Sequence, residues 1–136
     1  MRVFVDTNIW LDVVLSRPGA ADAGAFLLRC ATRQDELWTA WHTLSNVDYI
    51  LARAKQTPVQ REQHLRDLLR QSRIVPTDEH DALFAVGLGW PDFEDALQYA
   101  AAMRVQAAVI VTGNARHFTA SSIPAMTATE FLSQYP

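Results

Sequence analysis

The chain has 136 residues, of which 49% are hydrophobic and 20% charged. This excludes a disordered protein and suits one domain, residues 1–136, able to build a core without disulfides. The net charge of −3 excludes nucleic-acid binding by overall electrostatic attraction, so any contact with RNA has to be local. The single cysteine, Cys30, sits in an apolar stretch and is expected to be a packed, reduced thiol. That expectation, the absence of a charged leader or any apolar run near the ~18 residues of a membrane span, and an opening strand together lead us to expect a cytoplasmic protein without membrane contact.

In chain order, Arg2-Val3-Phe4-Val5 is a short apolar run ending at Asp6-Thr7-Asn8, the pattern of a buried strand that delivers polar groups at its C-terminal end. A helix is predicted from Ile9 to about Leu15, stopped by Arg17-Pro18-Gly19. Residues 21–33 carry Ala23, Phe26, Leu27 and Cys30 at helical spacing, and Leu37 to Ala40 is a candidate second strand. From Thr43 to Ala54, Leu44, Val47, Ile50 and Leu51 share one helical face. Pro58 suits the first turn of a helix reaching about Gln71, with Leu65, Leu68 and Leu69 inward. Arg73 to Pro76 is a third short strand, and Asp78 to Gly87 is helical.

Trp90-Pro91-Asp92-Phe93-Glu94-Asp95 opens the next helix, which runs through Met103. Ala107 to Val111 is a β-branched fourth strand, followed at once by Thr112-Gly113-Asn114. A last strand near Pro124 to Met126 precedes a short helix from about Thr129, where Thr127 and Glu130 have capping-box spacing. Strands alternating with helices indicate an α/β domain with a mostly parallel sheet, because parallel neighbours need crossover helices. Ligands of such sheets bind beyond the carboxyl ends of the strands.

Polar residues stand at those ends: Asp6 after the first strand, Asn114 after the fourth, and Asp92 with Asp95 at the start of the helix before the fourth. Asp92 and Asp95, three apart, lie on nearly one helical face, with Tyr99 next along it and Glu94 pointing elsewhere. Each also has a purely structural explanation. Asp92 is a natural N-cap, contributing roughly 1 kcal/mol; Asp6 can cap the helix that follows it, and Asn114 suits a turn or cap. Several carboxylates gathered at strand ends repel one another unless a proton or a metal compensates. A divalent cation is the simplest compensation.

The segments VFVDTNIWLD, WHTLSNVDYILAR, PDFEDALQYA, AAVIVTGNARHF and IPAMTATEFL, in this order, resemble the PIN-domain superfamily, in the branch that includes toxin-like ribonucleases of toxin–antitoxin pairs. The resemblance runs from about residue 2 to residue 132. It implies a three-layer α/β/α sandwich with a mostly parallel four- or five-stranded sheet, and Mg²⁺ or Mn²⁺ held by acids. Asp6, Asp92 and Asp95 match as metal ligands. Asn46 and Asn114 fall where many relatives carry Glu and Asp, and His117 where similar proteins often carry an acid. RNA is the implied substrate, with an antitoxin protein and a second copy of the chain as implied partners.

Asn46 and Asn114 can orient water or phosphate, but an amide brings no charge and cannot act as a general base. Asp48, two residues past Asn46, faces nearly the opposite side of its helix and does not replace an acid there. Thr7, Asn8, Ser45 and Thr112 are candidates for orienting water or phosphate, or else turn and cap residues. The basic stretch Arg53, Lys55, Arg61, Arg66, Arg70 and Arg73 is either a phosphate-facing arm or a solvated helix face. His117 is expected at the surface of a short helical turn, and no histidine has zinc spacing. Trp10, Trp38, Trp41 and Trp90 are core residues or include a partner patch. The leading function is a metal-dependent endoribonuclease; the rivals are a PIN fold with weakened catalysis that binds RNA or protein, and a hydrolase acting on a different phosphate substrate or cleaving flap-type DNA.

Overall fold

Five short strands and seven helices alternate along residues 1–136 of the computed structural model. The order is β1 (Arg2–Val5), α1 (Thr7–Val14), α2 (Ala20–Arg33), β2 (Glu36–Thr39), α3 (Trp41–Arg53), α4 (Pro58–Gln71), β3 (Arg73–Ile74), α5 (Glu79–Gly87), α6 (Phe93–Arg104), β4 (Val109–Val111), a 3₁₀ turn (Ala115–Phe118), β5 (Ala125–Met126) and α7 (Ala128–Gln134). Every pairing is parallel and the spatial order is β3-β2-β1-β4-β5. The predicted α/β/α sandwich is observed, with the sheet parallel throughout.

Alternation along the strands divides the core into two. Val3, Val5, Leu37, Val109 and Val111 face a layer made by α1, α2, α3, α4 and α7, where Phe26 and Phe131 meet edge to face with centroids 4.9 Å apart. Phe4 and Ile110 point the other way, onto Tyr99, Ala101 and Ala102 of α6 and Phe118 of the 3₁₀ turn. The small side chains of α6 let the helix lie close to the sheet, and α5 packs outside it. Burying β1 and β4 on both faces accounts for their continuous apolar runs.

Helix ends follow local chemistry. The Asp6 side chain accepts from the Asn8 backbone N–H, so α1 begins at Thr7 rather than at Ile9. Thr57 with Gln60 and Thr127 with Glu130 form reciprocal capping boxes, starting α4 at Pro58 and α7 at Ala128. Leu69, expected inward, is exposed, because α4 touches the core through Leu68 with Leu65 at its margin. Cys30 is fully buried, and burial pushes its thiol up to about 12. Trp10 is core and Trp38 and Trp90 pack against it, but Trp41 is exposed at the first position of α3. No helix is long and apolar enough to cross a membrane.

The chain order positions the site. From β1 the chain builds outward to β2 and β3, then crosses back over the sheet through α5 and α6 to place β4 on the other side of β1. The strand order therefore reverses between β1 and β4, and a crevice opens beyond their carboxyl ends.

Candidate active site

Asp6 and Thr112 are the first residues past those two strands, pinned there because the Asp6 N–H donates to the Val111 carbonyl at 3.0 Å and the Thr112 N–H to that of Met126 at 3.0 Å. Asp6 is 3% exposed. Its Oδ2 accepts from Thr112 Oγ1 at 2.6 Å, and its Oδ1 from Gln98 Nε2 at 2.9 Å and from the Asn8 N–H at 3.2 Å. Capping and crevice roles coincide in one carboxylate. Burial pushes the Asp6 carboxyl above its ordinary range; Thr112 and Gln98 pull it back, while the charge of Glu94 adds to the rise.

Helix α6 brings the other acids. Asp92 is its N-cap, accepting from the N–H groups of Glu94 at 2.9 Å and Asp95 at 3.3 Å. Ligand atoms of Asp92, Asp95 and His117 lie within 4.8 Å of one another, so capping does not turn Asp92 away. Asp6 stands outside that cluster, close enough for Asp95 to feel its charge. The Asp95 carboxyl is pushed up to about 6, first by burial and then by Asp92, Asp6 and Glu94, with His117 opposing.

His117 is more than a surface residue of the 3₁₀ turn. Its Nδ1 is 3.0 Å from Asp95 Oδ2 and its Nε2 is 2.8 Å from Asn114 Nδ2. With the Asn114 amide donating to Nε2, the neutral imidazole carries its proton on Nδ1 and donates it to Asp95. Asn114 is in turn fixed by its backbone N–H, which donates to Thr112 Oγ1 at 3.1 Å.

Two openings flank α6. A cleft of about 240 Å³ is lined by Trp90, Asp92, Asp95, Arg116 and His117, and a crevice of about 220 Å³ by Thr7, Asn8, Arg17, Asn46, Tyr49 and Glu94. Tyr99, beyond Asp95, stacks on Trp90, a lining residue of the first, with centroids 4.9 Å apart. Ser45 is exposed and lines neither. Asp48 accepts from Arg61 Nε at 2.9 Å, away from the crevice.

Glu94 points away from the face of Asp92 and Asp95, into the inner crevice. Its carboxylate accepts from Gln98 Nε2 at 2.8 and 3.1 Å, so one amide nitrogen bridges Glu94 and Asp6, and Gln98 Oε1 accepts from the Thr7 N–H at 3.3 Å. Neither residue stood out as a site residue in the sequence, although their four-residue spacing on a helix is a readable signal. Thr7 and Thr43 also meet, hydroxyl to hydroxyl, at 2.7 Å beneath the crevice.

The basic stretch is mostly self-paired: Arg61 with Asp48, Arg66 with Glu62, Arg70 with Asp67, and Arg73 over the Trp38 ring. The arginines that line the two openings are instead Arg17, 3.9 Å from Asp12, and Arg116.

The family model for the PIN domain matches residues 2–116. Among solved structures, the chain is similar to VapBC2 from Rickettsia felis bound to a DNA fragment from their promoter, with a TM-score of 0.73, 17% identity, and 93% of this chain and 98% of that one covered. It is similar to VapBC-1 from nontypeable Haemophilus influenzae, with a TM-score of 0.72, 18% identity, and 95% and 99% covered. It is also similar to FitAB bound to an IR36 DNA fragment, with a TM-score of 0.71, 17% identity, and 93% and 94% covered. No curated protein sequence matches this chain.

Proposed function

This chain belongs to the PIN domain family, and from that premise we propose that it is a metal-dependent endoribonuclease of the toxin type. The observation that carries the proposal is the Asp95 carboxyl pushed up to about 6 by burial and by three neighbouring acids at the point where the strand order reverses. Such a gathering of like charge costs stability unless a proton or a cation compensates, and a divalent cation does so while leaving the carboxylates ionised.

The donor set fits Mg²⁺ or Mn²⁺. Asp92 and Asp95, gathered with His117, and Asp6 close enough for Asp95 to feel its charge, offer hard carboxylate oxygens, and the one cysteine is buried at another place in the fold. These three residues would hold the ion, which when bound makes a water nucleophilic near neutral pH and shields the phosphate charge. Thr112 and Gln98 hold the Asp6 carboxylate in one orientation, and His117, held by Asn114, does the same for Asp95. Asn46 offers the crevice an amide for water or a phosphate oxygen, while Arg17 and Arg116 give the local phosphate contacts that the overall charge does not.

An antitoxin protein and a second copy of the chain are part of the same proposal. The likeness to VapBC and FitAB structures supports the former, together with an apolar cleft of about 250 Å³ lined by Trp10, Val13, Leu27, Val47 and Leu68. Exposed Leu83 and Val86 of α5 support the latter. A second reading, a PIN fold with weakened catalysis that binds RNA or protein, is favoured by the two amides at 46 and 114 and by the Asp95 carboxylate already partnered by His117.

Digestion of RNA and DNA oligonucleotides in parallel, with Mg²⁺, Mn²⁺ or EDTA, separates the readings. Metal-dependent cleavage of RNA that Asp95→Asn abolishes is the expected result. Metal-independent RNA binding without cleavage would establish the second reading, and cleavage of DNA alone would reject both.

A further inference from the structure

The outer cleft is lined by Asp92, Asp95 and His117, whose ligand atoms lie within 4.8 Å of one another. Each group has capacity to spare. Asp92 caps α6 through Oδ1, which accepts from the N–H groups of both Glu94 and Asp95, and its Oδ2 takes no part in the cap. Asp95 meets His117 through Oδ2, 3.0 Å from Nδ1, while Nε2 is turned away to Asn114 at 2.8 Å. The His117 side chain is 51% exposed, so the gap between its Nδ1 and the acids is open to solvent. A separation of 3.0 Å suits a shared proton. It is equally the separation of neighbouring donors around an ion with bonds of about 2.1 Å. The gap holds one or the other.

We propose that His117 is itself a metal ligand: the divalent ion held by Asp92 and Asp95 takes Nδ1 of His117 as a nitrogen donor, and the centre therefore prefers Mn²⁺ to Mg²⁺. The proposal rests on the ribonuclease reading above. To bind, the imidazole gives up its Nδ1 proton to solvent and takes one on Nε2, with no net change in its charge. Asn114 can follow by turning its amide end for end, so that Oδ1 accepts from Nε2–H where Nδ2 had donated. It then becomes the carbonyl partner that fixes the tautomer and orientation of a ligating histidine. Mg²⁺ binds oxygen and keeps its waters, so an imidazole adds little to its hold, whereas first-row transition ions accept nitrogen. The amides Asn46 and Asn114 bring no charge to the strand ends. A nitrogen donor strengthens the hold on a transition ion without needing any.

The test is Mn²⁺ titration of the wild-type protein, His117→Ala and His117→Asp, with nitrogen coupling to the ion read by pulsed electron paramagnetic resonance and the fold confirmed by thermal unfolding in EDTA. The expected result is a wild-type ion coupled to a directly bound nitrogen, a signal that both variants lose. Mn²⁺ affinity should fall about tenfold or more in His117→Ala. His117→Asp returns an oxygen donor, so it should keep the ion and let Mg²⁺ displace Mn²⁺ more readily than in the wild type. Mn²⁺ bound to the wild type without nitrogen coupling overturns the proposal and leaves the ribonuclease reading standing, because a histidine that only orients Asp95 leaves the ion with oxygen donors alone. Coupling that survives in both variants also overturns it, as does equal displacement by Mg²⁺ from the wild type and His117→Asp. His117→Asp carries the comparison by itself if His117→Ala does not fold. Absence of Mn²⁺ binding by the wild type overturns the ribonuclease reading itself, and the His117 assignment with it.

Discussion

Asp95→Asn should stabilise the metal-free protein at neutral pH while removing its cleavage of RNA. In the folded chain the Asp95 carboxyl is pushed up to about 6 from an ordinary 3.8, by burial first and then by Asp92, Asp6 and Glu94. Between those two values the folded state holds a proton that the unfolded state has released, so stability falls as pH rises through this window. The shift corresponds to about 3 kcal/mol at most; screening by water on the cleft side brings the expected value to roughly half of that. Asparagine carries no charge to desolvate, and its carbonyl can still accept from His117 Nδ1. The assay is urea unfolding of both proteins in EDTA at several pH values from 4 to 7.5, followed by tryptophan fluorescence. The stability of the variant relative to wild type should grow from pH 4 to about pH 6 and then level off, which separates Asp95 from every group the two proteins share. A relative stability that is flat or falling over this range would refute the picture of an acid strained by its neighbours.

Thr112→Val should destabilise the protein by about 1–3 kcal/mol in urea unfolding, because it strips a hydroxyl donor from a buried carboxylate that has few alternatives; a neutral result would mean that water replaces the hydroxyl. Phe131→Ala should cost about 3–5 kcal/mol by the same assay, since it empties a fully buried site and breaks the edge-to-face contact with Phe26. Cys30, buried and with its thiol pushed up to about 12, should resist a thiol reagent at pH 8 in the native protein and react at once in urea. Reversing the in-helix cations with Arg66→Glu and Arg70→Glu should leave RNA cleavage within about twofold, because both already answer acids on α4, whereas Arg116→Glu at the cleft edge should reduce it.

The architecture was legible because its signals were redundant. Apolar runs of two-face-buried strands, caps at Thr127 and Pro58, and a helix after every strand all pointed to one parallel sheet, and the strand ends then located Asp6, Asp95 and Asn114. Boundaries moved where a side chain decided them: α1 starts two residues early because the Asp6 carboxylate caps it. Leu69 was misplaced because a helix resting on the core by a narrow stripe buries Leu68 and leaves its neighbour outside. Sequence spacing alone could not resolve so narrow a stripe.

The site was less legible, for a reason that lies in how helix α6 meets the sheet. Judged by their spacing from Asp92, Asp95 shares its face and Glu94 does not, which holds for a helix viewed along its axis. At the N-terminus, however, the crevice is not one face but two openings, one on either side of the helix, and consecutive acids can serve both. Asp95 turns toward His117 and the outer cleft, Glu94 toward Asn46 and the inner crevice, and Gln98, one turn on, reaches between Glu94 and the buried Asp6. A glutamine inside the run of alanines that packs α6 on the sheet has no reason to be there as packing, since its amide must be satisfied in full once buried. Read that way, Gln98 was the signal available in the sequence. A polar residue on the apolar face, four places after an acid and three after another, marks where the acids of this helix converge on the strand end.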